Sequence, residues 1–330
     1  MPLYEKMENA ILGHQNIVTQ LQNAVTSERV AGAYLFSGEQ GVGKETVALY
    51  FANLILCEQR TEDNAPCGEC RACRKIKSGN HPDLQIIRPD GAQIRIDQIR
   101  ELQQQIFYQP LEGPRKIYIL ANTERMSNPT NPAANALLKT LEEPPAASTL
   151  ILLTENIESI LLTIRSRCQV LPFYSMPIEE LTVALMDRFS IDKEAASAAA
   201  ILSRGVVGKA ITLVEKGITE SETVPEILEE TNPLAAFRLA EQFVEKDLDS
   251  LDELITWYRD LLFLQQDAPI ELMTHTNALE QLKTLVPRYS RIRLQQAIKT
   301  VFQTKELLKR TNVTKIFALE VMCLKLLQGK

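Results

Sequence analysis

A chain of 330 residues is long enough for two or three domains, and 45% hydrophobic with 24% charged residues supplies ordinary globular cores. A formal net charge of −6 argues against a free-standing DNA binder, because neutralising phosphates needs a concentrated basic surface; contact with DNA inside an assembly stays open. The apolar runs at 151–153 and 159–164 fall far below the roughly 20 apolar residues of a membrane span, and the first ten residues carry Glu5 and Glu8 rather than a basic stretch before an apolar one. The expectation is a cytoplasmic protein with no membrane partner.

In chain order, the first apolar run, 32–36, reads as a short buried strand. Ser37-Gly38-Glu39-Gln40-Gly41-Val42-Gly43-Lys44-Glu45-Thr46 follows, then a helical pattern over 47–55. The string matches GxxxxGK with Gly38, Gly43 and Lys44 in register. Such a turn at a helix N-terminus aims backbone N–H groups at phosphates, and the lysine adds a point charge near the terminal ones. Gly41 within the turn and Thr46 just after it complete the candidate nucleotide contacts. Glu45, however, stands where a Ser or Thr hydroxyl would hold Mg²⁺, and Thr46 comes one residue late, about 100° around the helix. The Glu45 carboxylate would also repel phosphates unless Mg²⁺ intervened. Two readings stay open: weak ATP binding, or a turn kept for packing.

The next segment carries Cys57, Cys67, Cys70 and Cys73. Two successive C-x2-C steps place thiolates where one tetrahedral Zn²⁺ can gather them, with Cys57 closing the set. Around Pro66, Gly68 and Arg71 there are few apolar side chains, so the metal would supply the folding energy, and four thiolates leave no open position for catalysis. A reducing cytosol favours this structural zinc over disulfides. Free thiols or a disulfide remain the alternative, and His81, placed at the start of the next strand, is a less favoured fourth ligand. Cys168 and Cys323 stand alone and read as small core residues.

Leu84–Ile87 reads as a strand, and Ile96, Ile99, Leu102 and Ile106 as one face of a helix that ends before Pro110. Lys116–Leu120 is a strand of the kind that in an active P-loop ATPase ends in Asp-Glu, for Mg²⁺ and the attacking water. Here Ala121 and Asn122 follow, and Glu124 lies further on in an expected turn. With Glu45, this argues against hydrolysis by this chain. Asn131 as N-cap and Pro132 at the first helical position open a helix whose Ala133, Ala134, Leu137, Leu138 and Leu141 share a face, stopped by Pro144-Pro145. Strands follow at 149–153 and Gln169–Pro172. Short runs of this type are those of a buried parallel sheet. Helical patterns at 178–189, 195–202 and after Gly208 lead to a candidate linker, 217–225, rich in Gly, Ser, Thr and Glu. Amphipathic segments then continue to Leu327, with no internal repeat evident. The pattern is an α/β domain followed by helical ones.

Asn135-Ala-Leu-Leu-Lys-Thr-Leu-Glu-Glu-Pro-Pro145, Ile151-Leu-Leu-Thr-Glu-Asn156 and Ile164-Arg-Ser-Arg-Cys168, in that order and with the cysteine insertion upstream, resemble the bacterial DNA polymerase III clamp-loader subunits of the AAA+ superfamily. The resemblance covers roughly residues 10–215. It implies an AAA+ P-loop NTPase-like parallel-sheet domain over 1–173 with a zinc-binding insertion at about 57–73, a helical lid over 174–217, and an all-α collar over 218–330. It implies gamma/tau and delta subunits, the sliding clamp and primed DNA as partners, within a DNA-directed DNA polymerase holoenzyme but with no polymerase activity in this chain. In the family Ser-Arg-Cys carries an arginine finger, so Arg167 would reach into the ATP site of a neighbouring gamma/tau subunit. Its planar fork of donors suits a phosphoryl group in transfer. The plainer reading of Arg167 is a solvated or salt-bridged surface arginine; Arg165 reads as structural, and Thr154 matches a polar sensor position. The gamma/tau subunits keep the Mg²⁺ hydroxyl and the acid pair, whereas another type in the family loses both and keeps Ser-Arg-Cys, as this chain does. Lys44 is a departure that leaves ATP binding open. The alternatives are an active gamma/tau-type ATPase and a zinc-stabilised nucleotide sensor.

Overall fold

Five parallel strands set the frame of the N-terminal part: β1 Ala33–Ser37, β2 Leu84–Ile87, β3 Lys116–Leu120, β4 Ser148–Thr154 and β5 Gln169–Pro172, in the spatial order β2-β3-β4-β1-β5. The computed structural model describes residues 11–91, 93–126, 132–216, 224–245, 249–310 and 313–328. They divide into two units, Met1–Glu215 and Lys216–Lys330.

Every residue of β1 and β4 is buried, which explains why these strands read as unbroken apolar runs: both faces are covered. Alternate residues still part to opposite sides. Tyr34, Phe36, Ile151 and Leu153 join one core with Leu21 and Phe51 from helices α1 (Gln15–Thr26) and α2 (Lys44–Leu56). Leu35, Leu150 and Leu152 join the other with Leu102 from α4 (Ile96–Ile106) and Leu137 from α5 (Pro132–Glu142), while α3 (Arg71–Lys77) lies in the cysteine segment. Each such side chain contributes about 1.5–3 kcal/mol on burial.

The strand boundaries differ from the expected ones for identifiable reasons. β1 begins at Ala33 because its register with β4 starts there, opposite Leu150. β4 extends beyond 149–153 at both ends because Ser148 registers with Lys116 and Thr154 with Ser37. The second helix starts at Lys44 rather than 47, directly from Gly43. The proposed Asn131 cap lies outside the described residues, as does 217–223 of the candidate linker.

A short helix, α6 (Leu162–Arg165), precedes β5. Three helices complete this unit: α7 (Ile178–Phe189), α8 (Lys193–Leu202), capped by the Asp192 carboxylate accepting from Ala195 N–H at 2.7 Å, and α9 (Val207–Lys216).

The second unit is helical: α10 (Glu226–Glu229), α11 (Ala235–Glu245), α12 (Asp249–Gln265), α13 (Leu279–Leu285), α14 (Arg291–Arg310) and α15 (Lys315–Leu327). Its core centres on Trp257, Tyr258, Leu261, Val301 and Met322. Within that core Asp260 accepts the N–H groups of Thr274 and His275, each at 2.8 Å, and the His275 ring stacks on Trp257 with centroids 3.6 Å apart. Burial, with the nearby Arg259 charge, pushes His275 down to about 4. Among the described residues no helix is long and apolar enough to cross a membrane.

Candidate functional site

The glycine loop leaves the C-terminal end of β1, where Gly38 N–H donates to the Thr154 carbonyl at 3.1 Å. Gly41 and Gly43 take left-handed φ values of 82° and 111°, which glycine adopts without strain. A Cβ at Gly38 would meet the Phe173 carbonyl oxygen at 2.3 Å. The loop therefore has the form its sequence promised, but its charged groups are engaged inside the chain. Lys44 is buried, and its Nζ donates to the carbonyls of Gly38 at 2.6 Å and Glu39 at 2.9 Å. Burial pushes the Lys44 pKa down, and the carboxylates of Glu155, Glu124 and Glu39 oppose that shift.

Glu45 does not present a free carboxylate to the loop, contrary to the sequence expectation. Arg88, just past β2, holds it with a two-pronged pair, Nη1 to Oε2 at 3.1 Å and Nη2 to Oε1 at 2.5 Å. A guanidinium matches a carboxylate in this way by geometry as well as charge. Helix α9 closes the loop from the other side. Gly208 N–H donates to the Gly41 carbonyl at 2.8 Å, and Lys209 pairs with Glu39 at 3.4 Å. Thr46 lines a cavity of about 70 Å³ together with His14, Gly41, Gly43 and Gly208. Sites for drug-sized ligands run to roughly 300–1,000 Å³.

β3 is followed by Ala121 and by Asn122 in a left-handed conformation, φ 53°. Glu124 turns back beside them. Its Oε1 accepts from Asn122 at 3.4 Å and its Oε2 from Glu155 N–H at 3.3 Å. The Thr154 hydroxyl is buried and makes local bonds with Asn156, at 3.1 and 3.3 Å. Sequence reasoning missed His14, whose Nε2 lies 2.8 Å from the Val42 carbonyl, and Arg88, Glu155 and Lys209. Glu155 lies in the string 151–156 without having been singled out, and the other three belong to no motif; each is brought to the loop by the tertiary fold.

The four cysteines do converge. Cys57 ends α2, Cys70 caps α3 and Cys73 lies in its first turn, and the four sulfurs all lie within 4.8 Å of one another. Separations of 3.7 Å (Cys57–Cys67), 4.0 Å (Cys57–Cys70) and 3.9 Å (Cys67–Cys73) match the edge of about 3.8 Å in a tetrahedron with metal–sulfur bonds of ~2.3 Å. Backbone N–H groups of Cys67, Cys70 and Cys73 point at the sulfurs of Cys57, Cys67 and Cys70, at 3.4, 3.3 and 3.4 Å. At Cys70 the pull of burial is outweighed by N–H groups of Cys73 and Glu58, bringing the thiol to about 7, whereas burial pushes Cys57 up. This set can hold a metal ion. His81 is not part of it: the ring Nδ1 accepts from Asp83 N–H at 3.1 Å, short of the next strand rather than within it. Burial lifts Cys168 and Cys323 to about 12, as suits unreactive packed thiols.

Arg167 lies between α6 and the edge strand β5. Its Nη2 donates to Glu142 Oε1 and its Nη1 to the Thr163 carbonyl, both at 2.8 Å. Arg167 is thus an exposed arginine with an ion pair inside its own chain. Arg165 pairs with Glu158 at 3.2 Å.

The parallel sheet, glycine loop and trailing helices define an AAA+ P-loop NTPase-like protein with a cysteine insertion. The family model described as DNA polymerase III, delta subunit, matches residues 13–177, and the one described as DNA polymerase III, delta subunit, C terminal, matches 222–326. The chain belongs to this clamp-loader family, with its delta' members among the most similar relatives. It is 34% identical to DNA polymerase III subunit delta' of Bacillus subtilis, over 76% of this chain and 77% of that protein. Against subunit delta' of Pseudomonas aeruginosa the identity is 36% over 70% of each. Subunit tau of Bacillus subtilis is 27% identical over 96% of this chain, which spans 61% of that longer protein.

Proposed function

We propose that this chain is a delta'-type clamp-loader subunit that does not hydrolyse ATP and donates Arg167 to the ATP site of a gamma/tau neighbour while the assembly loads the sliding clamp on primed DNA. The observation that carries the reading is the state of its own nucleotide loop. Lys44 is bonded to Gly38 and Glu39, Glu45 is bonded to Arg88, and Ala121 and Asn122 stand where Mg²⁺ and water need acids. The lid contact of Gly208 on Gly41 adds to this, since it ties the loop to α9 without a nucleotide. An active gamma/tau-type motor would need groups this loop lacks.

Zinc is the metal that the four-thiolate set suits, in a structural role: the sulfur spacings fit its bond length and no position is left for substrate. We assign 1–173 as the AAA+ domain, 174–217 as the lid and 218–330 as the collar that meets gamma/tau and delta subunits. The test is ATP turnover and nucleotide affinity of the purified full chain with Mg²⁺. Turnover at background level is expected. Robust turnover lost in Lys44→Ala would return the motor reading, and tight ATP binding without turnover would favour the nucleotide sensor.

A further inference from the structure

Arg167 is held both within its own turn and by a residue outside it. Nη2 reaches Glu142, the last residue of α5, at 2.8 Å, while Nη1 bonds the Thr163 carbonyl of α6 at 2.8 Å and lies 3.4 Å from Ser166 Oγ. An arginine has five N–H donors in one rigid plane, so two anchors on different nitrogens fix that plane and leave the rest of the fork for another acceptor. Glu142 also sits at the C-terminal end of its helix, where the backbone carbonyls add negative potential that favours a cation.

We propose that Glu142 is a positioning residue for the Arg167 finger, presetting the guanidinium plane before the partner's phosphates arrive. This rests on the finger reading given above. A long arginine side chain loses rotamer freedom when it is fixed in a partner's site, and an anchor within its own chain meets that loss beforehand. The contribution of the pair is modest, because it is only part-buried. Its side chains are 34% (Arg167) and 51% (Glu142) exposed, where solvent screens the attraction.

The test uses the complex reconstituted from the full chain with its gamma/tau and delta subunits, the clamp and primed DNA. kcat and KM for ATP are measured for wild type, E142Q, E142A, R167A and the E142A/R167A double variant, after equal assembly and equal melting of the chain are established. E142A should lower kcat about three- to fivefold, the factor expected for a part-exposed ion pair, with KM unchanged. E142Q keeps an acceptor and should lose less, and the double variant should match R167A because the two residues act through one group. If R167A is slow while E142A turns over like wild type or faster, Glu142 is not a positioning residue although the finger stands. Losses that multiply in the double variant overturn it equally. Should R167A itself match wild type, the finger reading fails, and with it this role for Glu142.

Discussion

At Lys44 two demands meet: an ammonium placed for phosphate, and burial that disfavours its charge. The chain resolves them internally, since the carbonyls of Gly38 and Glu39 accept its protons and the carboxylates of Glu155, Glu124 and Glu39 offset desolvation. Lys44→Ala should therefore destabilise the full chain, by about 1 kcal/mol for part-buried acceptors left without a donor, and this loss should appear in urea unfolding with no nucleotide present. A lysine kept only for an absent phosphate would give no such loss. Gly208 allows a similarly direct test. A Cβ there would lie 2.7 Å from the Gly41 carbonyl oxygen, backbone against backbone. Gly208→Ala should cost about 1–3 kcal/mol, as overpacking does, and should increase amide exchange at Gly208, whose N–H donates to that carbonyl. Unchanged exchange would mean that the contact between Gly208 and Gly41 contributes little.

Among the described elements, the cysteine segment has little apolar core of its own. Ala72, Cys73 and Ile76 are its buried apolar residues near α3, while 58–64 is almost wholly exposed. Metal analysis of the full chain should give about one zinc per chain, because metal binding and local folding are coupled in such loops. Cys70→Ser should lower the zinc content and speed amide exchange over 57–77, leaving the sheet protected. Undiminished order after zinc removal would assign the loop another source of stability. The buried His275 of the second unit makes a pH prediction. Its folded value near 4 lies below the ordinary 6.5. The unfolded chain therefore binds a proton that the folded one refuses as pH falls below about 6.5, and stability is lost progressively down to about 4. The contribution is of order 3 kcal/mol. Asp260, pushed up by burial, works in the opposite sense, so the measurement is the difference in melting-temperature slope between wild type and His275→Asn over pH 4–7. Equal slopes would show that His275 titrates normally.

Over the whole molecule, the parts readable in the sequence are those set by local pattern. The apolar runs of β1 and β4 were readable because both faces of those strands are buried. The C-x2-C steps located the thiolate cluster because ligand spacing along the chain limits where sulfurs can go. The wiring of the site was not readable. Glu45 and Arg88 are 43 residues apart, and Glu39 and Lys209 are 170 apart. No periodicity links such pairs; only the sheet order and the return of α9 bring them together. The same holds for Glu142 and Arg167, each part of a recognisable string yet 25 residues from the other.

The central claim is that this chain acts on ATP in its neighbour's site rather than in its own. The most direct measurement is steady-state ATPase, stimulated by clamp and primed DNA, of complexes carrying wild type, Arg167→Ala or Arg167→Lys, all three assembled equally. The account predicts a large loss for Ala, toward the 10³–10⁵-fold scale known for arginine fingers at one site but diluted by the assembly's other sites. Lys should rescue poorly, since an ammonium keeps the charge and loses the planar fork. Wild-type rates in both variants would contradict it.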